Sequence, residues 1–360
     1  MSIHFHPLTI SDIRRETNEC VSIAFDIPEE LKETFRFREG QNITIKATID
    51  GEEIRRSYSV CSSPLEGELR VAVKQVEGGK FSTFANKQLQ KGQQLDVLPP
   101  TGKFYTELNP SHHHHYVAFA AGSGITPILS IIKTVLATEP NSSFTLVYGN
   151  KNRNAIIFRE TLEAIKNKYI NRFRIIHVLS RERTDAAINH GRIDADKCEQ
   201  LGSQVINWPS VHHYFLCGPE AMIFSTRDFL VSKGVPAEKI HFELFTSPGQ
   251  AQRTREMEKA DAKDTGPVAR VSVKLDGISF DFDLPFNSRS ILDAALQEGA
   301  DLPYACKGGV CCTCRAKLVS GEVEMEVNYA LEPDEVAAGY ILTCQSHPRS
   351  GSVVVDFDSK

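Results

Sequence analysis

The chain has 360 residues, 41% hydrophobic and 24% charged, the balance of a soluble globular protein with room for two or three domains. Its 46 acidic and 41 basic residues leave a net charge of −5, which argues against nucleic acid as a partner. No apolar run is long enough to span a bilayer, and the first residues, Met1-Ser2-Ile3-His4-Phe5-His6-Pro7, lack a signal-peptide core, so no membrane partner and a cytoplasmic location are expected.

Residues 1–108 read as an antiparallel β-barrel with one helix. Asn42-Ile43-Thr44-Ile45-Lys46-Ala47 and Leu69-Arg70-Val71-Ala72-Val73-Lys74 alternate with a strand period, with turn signals at Asp50-Gly51 and Gly78-Gly79. A barrel lets many short strands avoid exposed edges. Within this segment, Arg56-Ser57-Tyr58-Ser59 supplies what a flavin needs: a cation for phosphate, an aromatic for the isoalloxazine and a small hydroxyl near N5. The plain alternative for Tyr58 is an ordinary barrel tyrosine. Further on, Gly78-Gly79-Lys80-Phe81-Ser82-Thr83 leads into a helix expected from near Ser82, whose free amides suit a pyrophosphate. A hairpin turn before a capped helix is the other reading.

Residues 109–246 change character. Runs at 116–120, 144–148, 173–179 and 214–217 look like buried strands, and amphipathic segments such as 127–136 lie between them. This alternation predicts an α/β doubly wound parallel sheet. Gly122-Ser123-Gly124-Ile125-Thr126-Pro127 follows a strand and opens a helix with Pro127 near its start, as dinucleotide phosphates require. Cys217-Gly218-Pro219, at the end of a later strand, strengthens that reading.

Residues 247–267 read as a mobile linker, with mixed charge and only Met257 as a large apolar group. Residues 268–360 begin with a hairpin around Asp276-Gly277, followed by a helix from near Ser290, with Asp293 as a capping partner, that stops at Gly299. This segment carries 14 acidic and 8 basic residues, so the chain's negative charge is concentrated here. That charge is either a solvated face or a means of steering a basic partner. Cys306, Cys311 and Cys314, followed by the distant Cys344, have the C-x4-C-x2-C…C spacing of a plant-type [2Fe–2S] cluster. Zinc is the alternative, but it favours two C-x2-C pairs, and only one is present. The register leaves out Cys312, which joins Cys20, Cys61, Cys198 and Cys217 as reduced thiols.

Taken together, these motifs resemble the ferredoxin–NADP reductase superfamily, over essentially the whole chain. The resemblance is closest to the reductase components of multicomponent phenylacetyl-CoA epoxidases. It is carried by 120–127, by Leu302-Pro303-Tyr304-Ala305-Cys306-Lys307-Gly308-Gly309-Val310-Cys311 and by Asn328-Tyr329-Ala330-Leu331-Glu332-Pro333-Asp334-Glu335. It implies a flavin barrel, a pyridine-nucleotide domain and an α+β ferredoxin domain of the β-grasp type. It also implies electron flow from NADPH through FAD and [2Fe–2S] to the di-iron oxygenase subunit of the epoxidase in phenylacetate catabolism. Residue by residue, it gives Arg56 to phosphate, Tyr58 to the flavin ring and Ser59 to N5. Lys74, Gly79 and Ser82 fall to the FAD pyrophosphate, Thr126 and Cys217 to the nicotinamide, and Glu243 and Phe245 to the end of the nucleotide domain near the flavin. A core role is the alternative for Phe245. The other functional readings are a reductase serving a ring-hydroxylating or steroid oxygenase, and a redox-sensing interaction protein.

Ser180-Arg181 follows the strand ending at Leu179, where a 2′-phosphate would meet a hydroxyl and a guanidinium, and favours NADPH. Glu182 pulls the other way, and Lys151 and Arg153 are second candidates for the same contact. The run His112-His113-His114-His115 is read as an exposed loop between the first two domains rather than as a metal site.

Overall fold

The computed structural model describes residues 4–245 and 266–359. The linker expected at 247–267 lies outside the described residues except for Gly266 and Pro267. The chain divides into two compact units. The larger is built from His6–Ile54 and Tyr58–Leu244, and the smaller carries the C-terminal sheet.

Six strands open the larger unit: β1 (His6–Thr17), β2 (Cys20–Asp26), β3 (Asn42–Ile49), β4 (Glu52–Ser59), β5 (Leu69–Lys74) and β6 (Gln94–Val97). Their order is β4-β3-β6-β1-β2-β5. An antiparallel bridge from Val60 to Val71 joins the two ends of that order, so the sheet closes on itself as the sequence predicts. Inward side chains such as Leu8, Ile23, Ile43, Ile45, Val71 and Val97 fill the interior. The β3–β4 hairpin turns through Asp50 and Gly51 at φ of 52° and 77°, the two left-handed positions a tight two-residue turn needs. Helix α1 (Lys80–Lys87) starts two residues earlier than expected, with Gly79 at its N-cap. Gly78-Gly79 therefore connects a strand to a helix and is not a hairpin turn. Phe81 and Ala85 on α1 reach the barrel core and fix its depth.

The second half of this unit is a five-stranded parallel sheet of β7 (His115–Ala121), β8 (Ser143–Asn150), β9 (Phe173–Leu179), β10 (His213–Cys217) and β11 (Ile240–Glu243). Helices α2 (Ile125–Thr138), α3 (Arg159–Lys168), α4 (Ala195–Gln204) and α5 (Glu220–Ser232) connect the strands. The order β11-β10-β7-β8-β9 reverses direction between β7 and β10. In such sheets that reversal opens a crevice at the strands' C-terminal ends. Helix α2 is buried along nearly its whole length and also meets the barrel. Ser130 Oγ donates to the Ser62 carbonyl at 2.6 Å, and Ser63 and Thr134 hydroxyls meet at 2.9 Å. Cys61 and Phe104 of the barrel segment join Tyr116 and Phe215 in one apolar core.

The smaller unit has a mixed sheet of β12 (Val268–Leu275), β13 (Ile278–Pro285), β14 (Arg315–Ser320), β16 (Tyr340–Leu342) and β18 (Ser352–Asp356). Its order is β13-β12-β18-β14-β16, and the short strands β15 (Val323–Met325) and β17 (Ser346–Pro348) pair separately. Within this sheet β12 and β18 run parallel, the pairing that makes this a grasp-type fold. Helix α6 (Ile291–Gln297) packs Ile291, Leu292 and Ala295 into the core, and α7 (Pro333–Ala337) follows β15. Asp276 and Gly277 form the expected hairpin turn at φ of 54° and 75°, and α6 stops before Gly299 at φ 87°. Ser290 caps α6 by accepting the Asp293 amide at 3.2 Å. Ser290→Ala should cost about 1 kcal/mol locally. Faster amide exchange over 291–297 would register it, and unchanged exchange would show that the cap is idle.

Candidate cofactor sites

The crevice between β7 and β10 is shaped by glycines. A Cβ at Gly124 would lie 2.1 Å from the Cys217 carbonyl oxygen, and one at Gly218 would lie 2.7 Å from the Met222 methyl. At Gly124 the obstacle is backbone, so no side chain is admitted and the ends of the two strands come together backbone to backbone; at Gly218 a Cβ would also stand 3.1 Å from the Ala121 nitrogen. Gly122 adopts φ 54°, and its carbonyl accepts the Tyr148 hydroxyl at 2.9 Å. Thr126 Oγ1 donates to the Ser123 carbonyl at 3.0 Å, which ties the turn to the start of α2. The result is a rigid strand–turn–helix junction of the kind that receives a dinucleotide. Lys74, at the end of β5, brings its ammonium 3.5 Å from where a Gly122 Cβ would stand.

Cys217 and Glu243 are register partners on β10 and β11, and Cys217 is paired on its other side with Ala120. Ser59, at the end of β4, donates to Glu243 Oε2 at 3.0 Å. The structure thus brings together three candidate residues that lie far apart in the sequence. Burial pushes the Glu243 carboxyl up to about 7, while hydrogen bonds from Ser59 and Asn42 pull the other way. Burial and then the nearby Glu243 charge push the Cys217 thiol well up, so it stays protonated. Asn42 is a site residue that sequence reasoning does not find. Its only trace there is a polar residue starting an apolar strand, and it is 6% exposed.

On β4, Tyr58 is half-buried and packs on Phe81 with ring centroids 5.5 Å apart, while Arg56 is exposed. Ser82 is buried and receives the Val76 amide at 3.1 Å while donating to the Gly79 carbonyl at 3.2 Å. Its hydroxyl therefore holds the turn before α1 in shape. Phe245 is 39% exposed, which rules out the core role.

Ser180 and Arg181 lie beyond β9 and take backbone hydrogen bonds to Asn150 and Lys151. Arg181 is exposed, whereas Arg153 is occupied by Glu182 through both an ion pair at 3.0 Å and its backbone amide. The mixed signal of Glu182 thus has a structural outlet away from Arg181.

In the smaller unit, the loop before β14 carries Cys306, Cys311 and Cys314, and the turn after β16 brings Cys344 to them. Cys306 and Cys311 sulfurs lie 3.2 Å apart, and Cys344 shares hydrogen bonds with Cys306 and Cys314. Lys307 and Gly309 take φ of 50° and 73°, and a Cβ on Gly309 would press on Val327 and Gln345 at about 3 Å. That fold of the loop aims the Gly308 amide at Cys306 Sγ at 3.3 Å, and Gln345 Nε2 reaches Cys344 Sγ at 3.6 Å. Hydrogen bonds from the Cys311 and Cys344 thiols, then from Gly308 and Val310 amides, hold the Cys306 thiol far below its usual range. Cys311 and Cys344 are pushed up, first by sharing with Cys306 and also by burial. Four sulfurs gathered within mutual reach, with backbone amides donating to Cys306, fit a thiolate-bound iron cluster. Cys312 points elsewhere, with its thiol on the Ala330 carbonyl at 3.2 Å.

A closed antiparallel barrel, a parallel sheet with a glycine-lined switch point and a cluster of four thiols define a flavin-type reductase joined to a ferredoxin unit. The family comparisons agree. The oxidoreductase FAD-binding domain matches residues 7–105, the oxidoreductase NAD-binding domain 119–228 and the 2Fe-2S iron-sulfur cluster binding domain 273–349. One component of the 1,2-phenylacetyl-CoA epoxidase of Escherichia coli is 47% identical, over 99% of this chain and 98% of that protein. The ferredoxin reductase component of 3-ketosteroid-9-alpha-monooxygenase of Rhodococcus rhodochrous is 33% identical, over 97% of this chain and 96% of that one. Phthalate dioxygenase reductase shares the fold, with a TM-score of 0.59 at 24% identity over 98% of both chains. The chain belongs to the family of oxygenase reductase components that join FAD-binding, NAD-binding and [2Fe–2S] domains in one polypeptide. It is an NAD(P)H-dependent oxidoreductase that acts as an electron-transfer component. Among the described residues, no helix is long and apolar enough to cross a membrane.

The raised Glu243 carboxyl sets a pH dependence. Its folded value of about 7 lies above the ordinary 4.5, so its contribution to stability is intact below 4.5 and lost as pH rises through 7. Glu243→Gln removes the ionisation. The wild type should lose more melting temperature than this variant between pH 5 and pH 8. Parallel melting curves would show that the carboxyl is not perturbed.

Proposed function

We propose that the chain delivers electrons from NADPH to the di-iron oxygenase subunit of a phenylacetyl-CoA epoxidase, in the cytoplasm, during aerobic phenylacetate breakdown. The observation that carries the choice of acceptor is 47% identity across 99% of the chain to an epoxidase component, against 33% for the ketosteroid relatives. In this reading residues 1–108 bind FAD, 109–246 bind the nucleotide and 268–360 bind the cluster, with 247–267 as the tether. Bound FAD supplies the exchange between hydride and single-electron chemistry, and a [2Fe–2S] cluster held by Cys306, Cys311, Cys314 and Cys344 supplies one-electron carriage.

The protein's own part is positioning. Tyr58 offers its ring to the flavin, Arg56 its charge to phosphate, and Ser59 its hydroxyl to the ring edge. Gly79 and Ser82 shape the turn whose amides face the pyrophosphate, and Lys74 adds a cation. Gly122, Gly124 and Gly218 clear space for the nicotinamide half, with Thr126 and Cys217 flanking it. Glu243, whose carboxyl burial raises to about 7, carries less negative charge beside the reacting ring near neutrality than an ordinary carboxylate would. Phe245, being exposed, is free to cover the flavin face. Ser180 and Arg181 suit a 2′-phosphate, and the engagement of Glu182 with Arg153 supports NADPH by removing the competing carboxylate.

Three measurements test this. Reconstitution with epoxidase oxygenase subunits should make NADPH oxidation depend on phenylacetyl-CoA. Dependence on a steroid substrate with a steroid oxygenase instead would move the protein to the other branch. Arg181→Ala should raise KM for NADPH roughly tenfold, the worth of one charge-assisted contact, and leave NADH unaffected. Equal effects on both nucleotides would reject the 2′-phosphate role. Cys344→Ser should lose the visible absorption of the cluster while Cys312→Ser keeps it, and the reverse result would reassign the fourth ligand.

A further inference from the structure

Gln345, the residue after Cys344, has no place in the cysteine spacing, yet it is buried beside it. Its backbone is held on both sides, with the amide donating to the Leu342 carbonyl and the carbonyl accepting the Glu326 amide, both at 2.9 Å. The side chain therefore leaves from a fixed point. Its Nε2 donates to the Lys307 carbonyl at 3.1 Å and to the Cys344 carbonyl at 2.8 Å, and lies 3.6 Å from Cys344 Sγ. Gln345 Oε1 is buried with no hydrogen-bond partner among the described residues.

That orphaned oxygen shows which end of the amide the site uses. A buried acceptor left unpaired costs stability, and an apolar side chain would fill the same space without that cost. Turning the amide over is worse, because Oε1 would then face two carbonyl oxygens. The position is held for its N–H groups. The Lys307 carbonyl that takes one of them belongs to a left-handed residue, at φ 50°. A lysine keeps that conformation only where its surroundings impose it. Here Lys307 Nζ pairs with Asp293 at 2.6 Å, and Gln345 takes the carbonyl. The Gly308 amide that follows is the one that reaches Cys306 Sγ. One carboxamide thus joins the turn that carries the fourth cysteine to the loop that carries the other three.

We propose that Gln345 is a positioning residue for the iron–sulfur cluster. It latches the Cys344 turn to the left-handed Lys307 peptide and sets a polarised NH2 group beside the Cys344 sulfur, which raises the cluster's reduction potential and slows its loss of iron. Reduction adds negative charge that the thiolates share, so a donor near sulfur favours the reduced form over the oxidised one. The proposal rests on Cys344 as a ligand, which the Cys344→Ser spectrum tests by itself.

The test uses the full chain with flavin and cluster bound. Gln345→Met keeps the length of the side chain and removes both N–H groups, and Gln345→Asn keeps the amide but withdraws it by one methylene. The potential is read by anaerobic redox titration of the reduced cluster's electron paramagnetic resonance signal, and iron loss by transfer to a chromophoric chelator. Gln345→Met should shift the one-electron equilibrium about tenfold towards the oxidised cluster, a fall of about 59 mV, and release iron at least tenfold faster. Gln345→Asn should move both in the same direction by less, and it supplies the potential should the methionine variant retain no cluster. A potential and an iron-release rate equal to wild type in a cluster-bearing variant, or a potential above wild type, would overturn the proposal and leave Gln345 as a packing group. A cluster spectrum that survives Cys344→Ser would instead show that the ligand assignment had failed.

Discussion

The contact between Gly124 and the Cys217–Gly218 peptide sets the geometry of the nucleotide end of the molecule. A methyl group at Gly124 would stand 2.1 Å from the Cys217 oxygen and 2.8 Å from the Gly218 nitrogen, distances that no side chain survives. Because β7 and β10 are adjacent and parallel, their C-terminal ends emerge together, and the chains that leave them must part at once. With no side chain between them, the amides at the start of α2 and the end of β10 face the same crevice. The Tyr148 hydroxyl on Gly122 fixes the turn from the neighbouring strand β8, so the crevice is formed in the sheet itself.

The environments of the two redox regions differ in the sign of charge they favour. Around Ser59, Cys217 and Glu243, burial keeps the Cys217 thiol protonated and raises the Glu243 carboxyl to about 7, so burial there disfavours negative charge. Around Cys306 the loop does the opposite. Left-handed Lys307 and Gly309 curl the backbone until the Gly308 and Val310 amides reach Cys306, which favours the thiolate at that one sulfur.

Much of this is legible in the sequence because the informative features are local. The strand period of 69–74, the left-handed Asp-Gly pairs and the cysteine spacing each depend on a few neighbouring residues. What escapes is non-local. Asn42 reaches Glu243 across some 200 positions, and nothing near Asn42 marks it. Tyr148 reads only as a strand residue, since its partner Gly122 belongs to another strand. The start of α1 reads late because Ser82 looks like a cap. In the fold its hydroxyl instead reaches back to Val76 and Gly79, and the helix begins at Lys80.

The histidine run shows the same limit from the other side, since a conspicuous sequence feature misleads for want of its distant partner. Four adjacent histidines beside Asn109-Pro110-Ser111 look like a solvated loop, yet only His113 is exposed. The buried Glu139 carboxylate accepts the Asn109 amide, His112 Nδ1 and the Tyr116 and Ser142 hydroxyls. Glu139 also ties this end of the molecule to the other. It directly follows α2, whose 14 residues span about 21 Å and begin at Gly124's neighbour Ile125. Eleven of those residues are buried, so the helix has little freedom to slide along its axis. Holding Glu139 by four hydrogen bonds therefore also holds the helix start against the Cys217–Gly218 peptide. The buried carboxylate and the glycine contact are the two fixed ends of one strut.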